Sequence, residues 1–179
     1  MDLSDIDAAT DEYGTLTRTG GHNVLHYRRR LARPPETVWR AMTEEDHLAA
    51  WFPTTIEGDQ VAGAPLRFSF REAEAPPFTG VMRIFEPPSV MELLWGDDVL
   101  HFELYRDGSG SVLDLVVTFP ELGKAARDGA GWHVCLDRLG CAAAGTSPRW
   151  ETPDRWRAVH RVYVEQFGPE ASAIGPPRG

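Results

Sequence analysis

The 179-residue sequence predicts an α+β fold, a curved antiparallel sheet wrapped around a long helix toward the C-terminus, with two short helices after the opening hairpin. Three features carry that expectation. The middle of the chain, from Thr55 to Phe119, alternates apolar and polar side chains between turn-forming breaks. The stretch from Leu122 to Ala144 then changes to helical spacing, and prolines and glycines mark the joints between segments. The alternation is one-sided. Leu66, Phe68 and Phe70 share a face, as do Leu100, Phe102 and Leu104, while Arg67, Ser69, His101 and Glu103 point the other way. A sheet of this kind has one covered and one wet face.

Taken in order, residues 1–12 read as an acidic tail, residues 13–167 as one domain and residues 168–179 as a C-terminal tail expected to fray. Tyr13 to Arg18 and Val24 to Leu31 form a hairpin across Gly20-Gly21, a pair that supplies the positive φ angles of a tight turn. Pro34-Pro35 ends the second strand, and Pro35 suits the first turn of a helix, where a missing N–H costs nothing. Val38 and Met42 mark that helix's buried face. A second short helical turn, Glu44 to Ala50, delivers Trp51-Phe52 before Pro53. Six strands follow: Thr55–Gly58, Leu66–Arg71, Phe78–Phe85, Ser89–Trp95, Val99–Arg106 and Ser111–Phe119. Trp132, Leu136, Leu139 and Ala143 then recur at helical spacing, with Gly129 and Gly131 marking either a close approach of backbone to the sheet or a deliberately soft stretch. Thr152-Pro153-Asp154 caps a last amphipathic helix carrying Trp156, Val159, Tyr163 and Phe167.

Composition narrows the function classes. The net charge is −9, and five of the acids behind it, Asp2, Asp5, Asp7, Asp11 and Glu12, lie in the first twelve residues. The one basic cluster, Arg28-Arg29-Arg30 with Arg33, alternates faces on a strand and forms no continuous stripe, so nucleic acid is not an expected partner. No apolar run is long enough to span a membrane, and the acidic N-terminus lacks the parts of a signal peptide, which makes cytoplasmic residence the expectation. Cys135 and Cys141, six apart on one helix, are about 10 Å from each other and cannot bridge. The six histidines show no metal-ligand spacing, and no phosphate loop, nucleophile elbow or dinucleotide fingerprint occurs, so neither metal nor cofactor is implied.

Several blocks, in order, carry a resemblance. Arg29, Pro34-Pro35, Val38-Trp39, Ala41, Thr43 and Trp51-Phe52 come first, then Gly58-Asp59 through Gly63 to Phe68. Thr79-Gly80-Val81, Pro87-Pro88 and Leu94-Trp95 follow, and Gly131-Trp132-His133 with Leu136-Asp137-Arg138-Leu139 closes the series. Together they resemble the family related to the activator of the ninety-kilodalton heat-shock-protein ATPase, in the START-like or SRPBCC superfamily of helix-grip domains. Ala64 stands where the second glycine of the middle pair is usual, and Arg33 where a small residue precedes the prolines. The resemblance implies a cavity between the sheet and the long helix. The family spans ligand carriers, polyketide cyclases and aromatases, and chaperone co-factors, so architecture is implied and chemistry is left open.

On that basis the expected activity is binding of a small lipophilic or aromatic ligand, by a monomer or homodimer. A cyclase-like enzyme and a chaperone-activator-like interaction protein are the alternatives. Arg29, Trp39, Trp51, Phe52, Phe68, Trp95 and Trp132 are the candidate ligand-binding residues. Arg29 shares a strand face with Leu25, Tyr27 and Leu31; it is either an anchor for a ligand carboxylate or carbonyl, or a structural residue, paired with an inward acid or reaching water from the end of the sheet, and we favour the structural reading. His101 and Glu103 could form an acid–base pair but fall on the wet face, and His133 beside Trp132 reads as a packing histidine before a proton shuttle. No residue is assigned a catalytic role.

Overall fold

The computed structural model describes residues 13–176; the acidic segment 1–12 lies outside the described residues. The hairpin is β1 (Thr15–Thr19) and β2 (His22–Leu31). Helices α1 (Pro35–Thr43) and α2 (Glu45–Leu48) follow, then a meander of β3 (Thr54–Glu57), β4 (Pro65–Phe70), β5 (Phe78–Glu86), β6 (Val90–Trp95), β7 (Asp98–Asp107) and β8 (Gly110–Phe119). A 3₁₀ turn, Leu122–Lys124, leads into α3 (Ala125–Ala144), and α4 (Thr152–Phe167) completes the helices. All eight strands join one antiparallel sheet in the order β1-β2-β8-β7-β6-β5-β4-β3. The two short helices carry the chain from β2 to the far edge, and the meander walks it back until β8 pairs with β2. Each strand foreseen from alternation lies within two residues of its observed bounds.

The inner sheet face is the apolar one. Leu25 and Tyr27 of β2, Leu100, Phe102 and Leu104 of β7, and Leu113, Leu115 and Val117 of β8 are buried there against α3, which contributes Trp132, Leu136 and Leu139. β5 departs from simple alternation. Its pairing with β6 shifts register between Met82 and Ile84, so Met82 and Phe85 both pair with inward residues of β6, Leu93 and Met91. Such a bulge re-aims side chains; here it brings Phe85 to Trp39, ring centroids 5.5 Å apart.

Three terminal features differ from the sequence reading. The cap of α4 is Glu151, with no side-chain hydrogen bond, rather than Thr152; Pro153 still sits in the first turn. Gly129 approaches α4 as well as the sheet. Its carbonyl accepts the Tyr27 hydroxyl at 2.7 Å, and an added Cβ would meet the Phe167 ring at 3.3 Å. The stretch after α4, expected to fray, docks instead: Ala171 is buried in a 3₁₀ turn and Ile174 N–H donates to the Gly123 carbonyl.

Candidate functional site

The seven residues singled out from the sequence fall into three places. Trp51, Phe52, Phe68, Trp95 and Trp132 form one continuous ring cluster between sheet and α3, with centroid separations of 5.2 Å for Trp51–Phe52, 5.8 Å for Phe52–Trp132 and 5.3 Å for Trp95–Trp132. Edge-to-face and tilted packing of this kind fills space. Trp51 Nε1–H donates to the Ala41 carbonyl, tying the cluster to α1, and Trp95 Nε1–H reaches Thr54 Oγ1 at 3.4 Å. Trp39 stands apart with Phe85. Arg29 is at the far end, where Nη1 donates to Asp137 Oδ1 at 2.7 Å, the inward ion pair that its strand face suggested. Its neighbours Arg28 and Arg30 point outward to Asp114 and Asp107.

Around Arg29 lies a buried polar seam joining β2, α3, α4 and the chain just before β1. Asp137 takes Arg29 on one oxygen and Arg155 on the other. Tyr163 is fully buried; its hydroxyl accepts the Gly14 N–H at 2.7 Å and lies 2.9 Å from His133 Nδ1. The direction of that His133–Tyr163 bond depends on the histidine tautomer; on the other side of the ring, Nε2 lies 3.4 Å from Arg155 Nη2 and 3.6 Å from Asp137 Oδ2. Burial, then the nearby Arg29 guanidinium, push the His133 pKa down to about 3, with Asp137 opposing and Arg155 adding to the shift. The imidazole is therefore neutral. Burial likewise raises the Tyr163 and Tyr27 hydroxyls, and holds the Cys135 thiol up at about 12. No open volume adjoins these groups among the described clefts.

His101 lies on the outer face, as its alternation indicates. Nδ1 meets Glu92 at 2.7 Å and Nε2 meets Glu103 at 3.0 Å. Partial burial works against a charge there, but the hydrogen bonds to Glu103 and Glu92 outweigh it and hold the pKa above its ordinary value. This is a charged surface cluster, and the covered face is on the other side of the strand.

Open space occurs elsewhere. A cleft of about 670 Å³ runs between the helix pair α1–α2 and strands β3 to β6. Its floor is Met42, Leu48, Ile56, Leu66, Met82 and Met91; its rim is Thr43, Glu44, Glu45, Asp46, Glu57 and Gln60. The side chains come from α1, α2, β3, β4, β5 and β6, each aimed by the inward alternation of its strand or the buried face of its helix. Gln60 Nε2 donates to the Thr43 carbonyl at 2.7 Å and pins the 58–64 loop over one end. Gly58 opens that loop at φ 141°, where a Cβ would strike the Pro65 carbonyl at 2.5 Å, so the rim here requires glycine. None of the seven sequence candidates lines this cleft. Three of its floor residues are methionines, and the chain has four in all, the other being Met1. That coincidence is the signal the sequence held, but only tertiary structure brings residues 42, 82 and 91 together. A smaller cleft of about 400 Å³, with Arg138, Cys141 and Thr146 in its wall, lies at the α3–α4 turn.

A curved antiparallel sheet closed by a long helix is the helix-grip architecture expected from the sequence. Within it, this chain belongs to the family described as activator of Hsp90 ATPase homolog 1-like proteins, which matches residues 32–143. The hairpin and α4 lie outside that match. No curated protein matches the sequence. Among solved structures, the chain is similar to a conserved protein of unknown function from Enterococcus faecalis, at 19% identity and a TM-score of 0.73, over 93% of this chain and 97% of that one. CalU16 from Micromonospora echinospora gives 19% identity and 0.65 over 85% and 94%. A protein from Bordetella parapertussis gives 24% and 0.66 over 80% and 85%. At such identities these likenesses concern the fold.

Proposed function

We propose that the protein binds a small lipophilic ligand in the α1–α2 cleft, with the aromatic cluster as the packed wall behind it. The observation that carries this reading is the convergence of Met42, Met82 and Met91 with Leu48, Leu66 and Ile56 on one concave floor of about 670 Å³. Pockets of roughly 300–1,000 Å³ are the usual size of small-molecule sites. Methionine is flexible and polarizable, so a floor with three of them can reshape around different apolar bodies at low cost.

The two alternative roles have less support. Acid–base catalysis calls for two titratable groups within reach of each other and of a substrate; the His133–Tyr163–Asp137 constellation is sealed in the α3–α4 seam. A surface role like the one in the family's name calls for a contiguous exposed apolar patch. Among the described residues, the large exposed hydrophobics are Val61 in a loop, Tyr105 on β7, and Val162 and Val164 on α4.

A thermal-shift screen of alkyl and aromatic lipophiles tests the reading, because a ligand of the folded state raises the melting temperature by mass action. Ile56→Trp, at the half-buried residue of the floor, fills the cleft and is expected to abolish the shift while leaving the unliganded protein folded. A screen in which nothing raises the melting temperature, or a hit that Ile56→Trp leaves intact, overturns it.

A further inference from the structure

The chain just before β1 lies across the α3–α4 seam. The Tyr13 ring covers His133 at 4.7 Å between centroids and meets Tyr163 edge-on at 5.5 Å. Gly14 N–H donates to the Tyr163 hydroxyl at 2.7 Å, and Gln166 Nε2 donates to the Gly14 carbonyl at 3.4 Å. A Cβ on Gly14 would stand 2.6 Å from the Tyr27 ring, so the backbone there lies directly on that ring. Tyr13 is half-buried, whereas His133, Tyr27 and Tyr163 beneath it are fully enclosed. The other covers of His133 are held along their length. β2 is paired on both edges, and α3 and α4 are helices of 20 and 16 residues. The β1–β2 ladder starts only at Thr15 with His26, so Tyr13 and Gly14 precede it. They are the part of the cover that can open by itself.

The groups around His133 make a proton on its ring costly. From α4, the Tyr163 hydroxyl meets Nδ1 at 2.9 Å and Arg155 Nη2 lies 3.4 Å from Nε2. Asp137 faces the ring from α3 at 3.6 Å, and Arg29 adds its charge from β2, where the Tyr27 hydroxyl is turned to the Gly129 carbonyl. Tyr13 lies over the ring from the strap. A protonated imidazole would set three positive groups against one carboxylate. It would also have no acceptor nitrogen, so Arg155 would face a second donor. Burial and the Arg29 guanidinium accordingly hold the pKa down at about 3. Water at the ring relieves that penalty. We propose that residues 13 and 14 form an acid-released strap: a proton on His133 lifts Tyr13 and Gly14 off the seam while sheet and helices stay folded. The open form brings His133, Tyr163 and Asp137 into contact with water.

Hydrogen exchange of the Gly14 amide in the full chain, corrected for intrinsic rates between pH 7 and pH 5, reads the strap directly. Its opening is expected to become about tenfold more frequent over that range, because the open form gains the His133 proton. Low urea should leave it unchanged while speeding exchange at core amides such as Leu115 of β8. His133→Gln should abolish the acid response. Tyr13→Ala, at a half-buried position outside the sheet, should open the strap at pH 7. In that variant His133, followed by NMR, should titrate above 3 and toward its ordinary 6.5. Gly14 protection that ignores pH, or that shows the urea slope of Leu115, overturns the proposal. An acid response that survives His133→Gln does so too, as does a His133 titration that Tyr13→Ala leaves in place. If His133→Gln does not fold, the Tyr13→Ala titration decides alone.

Discussion

The seam between β2, α3 and α4 and the cleft under α1 and α2 are both lined by residues with functional potential, yet they are built for opposite ends. The seam holds histidine, tyrosines, arginines and an aspartate, with Arg29 against Asp137, His133 against Tyr163 and Tyr27 against the Gly129 carbonyl, and neither described cleft is lined by them. The cleft holds chemically plain side chains, methionine and leucine with carboxylates at the mouth, and it is open. Reactive groups buried in satisfied networks serve the fold. Soft apolar groups beneath an open cleft can shift to meet a ligand.

That contrast can be broken most forcefully in the seam. Asp137→Ala strands two guanidinium groups, and is expected to cost about 3–5 kcal/mol of stability, read by urea denaturation, since removing one partner of a buried pair leaves an uncompensated charge. Arg29→Ala should lower stability in the same range with ligand affinity unchanged; a loss of affinity in folded protein would instead make Arg29 a ligand anchor. Trp132→Ala, in the aromatic wall, is expected to cost about 3–5 kcal/mol through the cavity it leaves.

Acid sharpens the comparison further. His133 titrates near its ordinary value of 6.5 when unfolded and at about 3 when folded, so between those values the unfolded chain binds the extra proton. Its contribution is complete above pH 6.5 and is lost as pH falls toward 3. Denaturation midpoints should therefore drop across that window, and His133→Gln should flatten part of the drop. Tyr163→Phe is a smaller change. It deprives the Gly14 N–H of its acceptor and His133 Nδ1 of its hydrogen-bond partner, and should cost about 1–3 kcal/mol. Smallest is Met82→Leu on the cleft floor, a volume-conserving swap expected to change stability by less than about 1.5 kcal/mol while narrowing the range of ligands bound.

How much of this was legible beforehand follows from the range of the interactions involved. Strand positions could be read because inward and outward residues alternate locally, and the proline and glycine joints are local too. Arg29's inward face was readable, as was its need for an acid; that Asp137 supplies it depends on how α3 lies on β2. The seven aromatic and basic candidates were chosen for chemistry, and five of them, Trp51, Phe52, Phe68, Trp95 and Trp132, proved to pack on one another. The cleft was not readable. Met42, Met82 and Met91 are each unremarkable core residues in their own segments, and Met82 keeps its place beside an unforeseen bulge between Met82 and Ile84. Of the two glycines that pointed to close approach or softness, Gly129 meets Phe167, 38 residues on, while Gly131 has nothing within 4 Å of where a Cβ would stand.

The account's central claim is that the ligand sits on the methionine floor and not among the tryptophans. Methyl-¹³C-methionine labelling tests it directly, because Met42, Met82 and Met91 all report from the cleft. Titration with an alkyl lipophile that raises the melting temperature should move those three methyl signals saturably, while the Trp51 indole N–H signal, held on the Ala41 carbonyl, stays in place. Still methionine methyls, or saturable movement confined to the indole signals of Trp51 and Trp132, would contradict it.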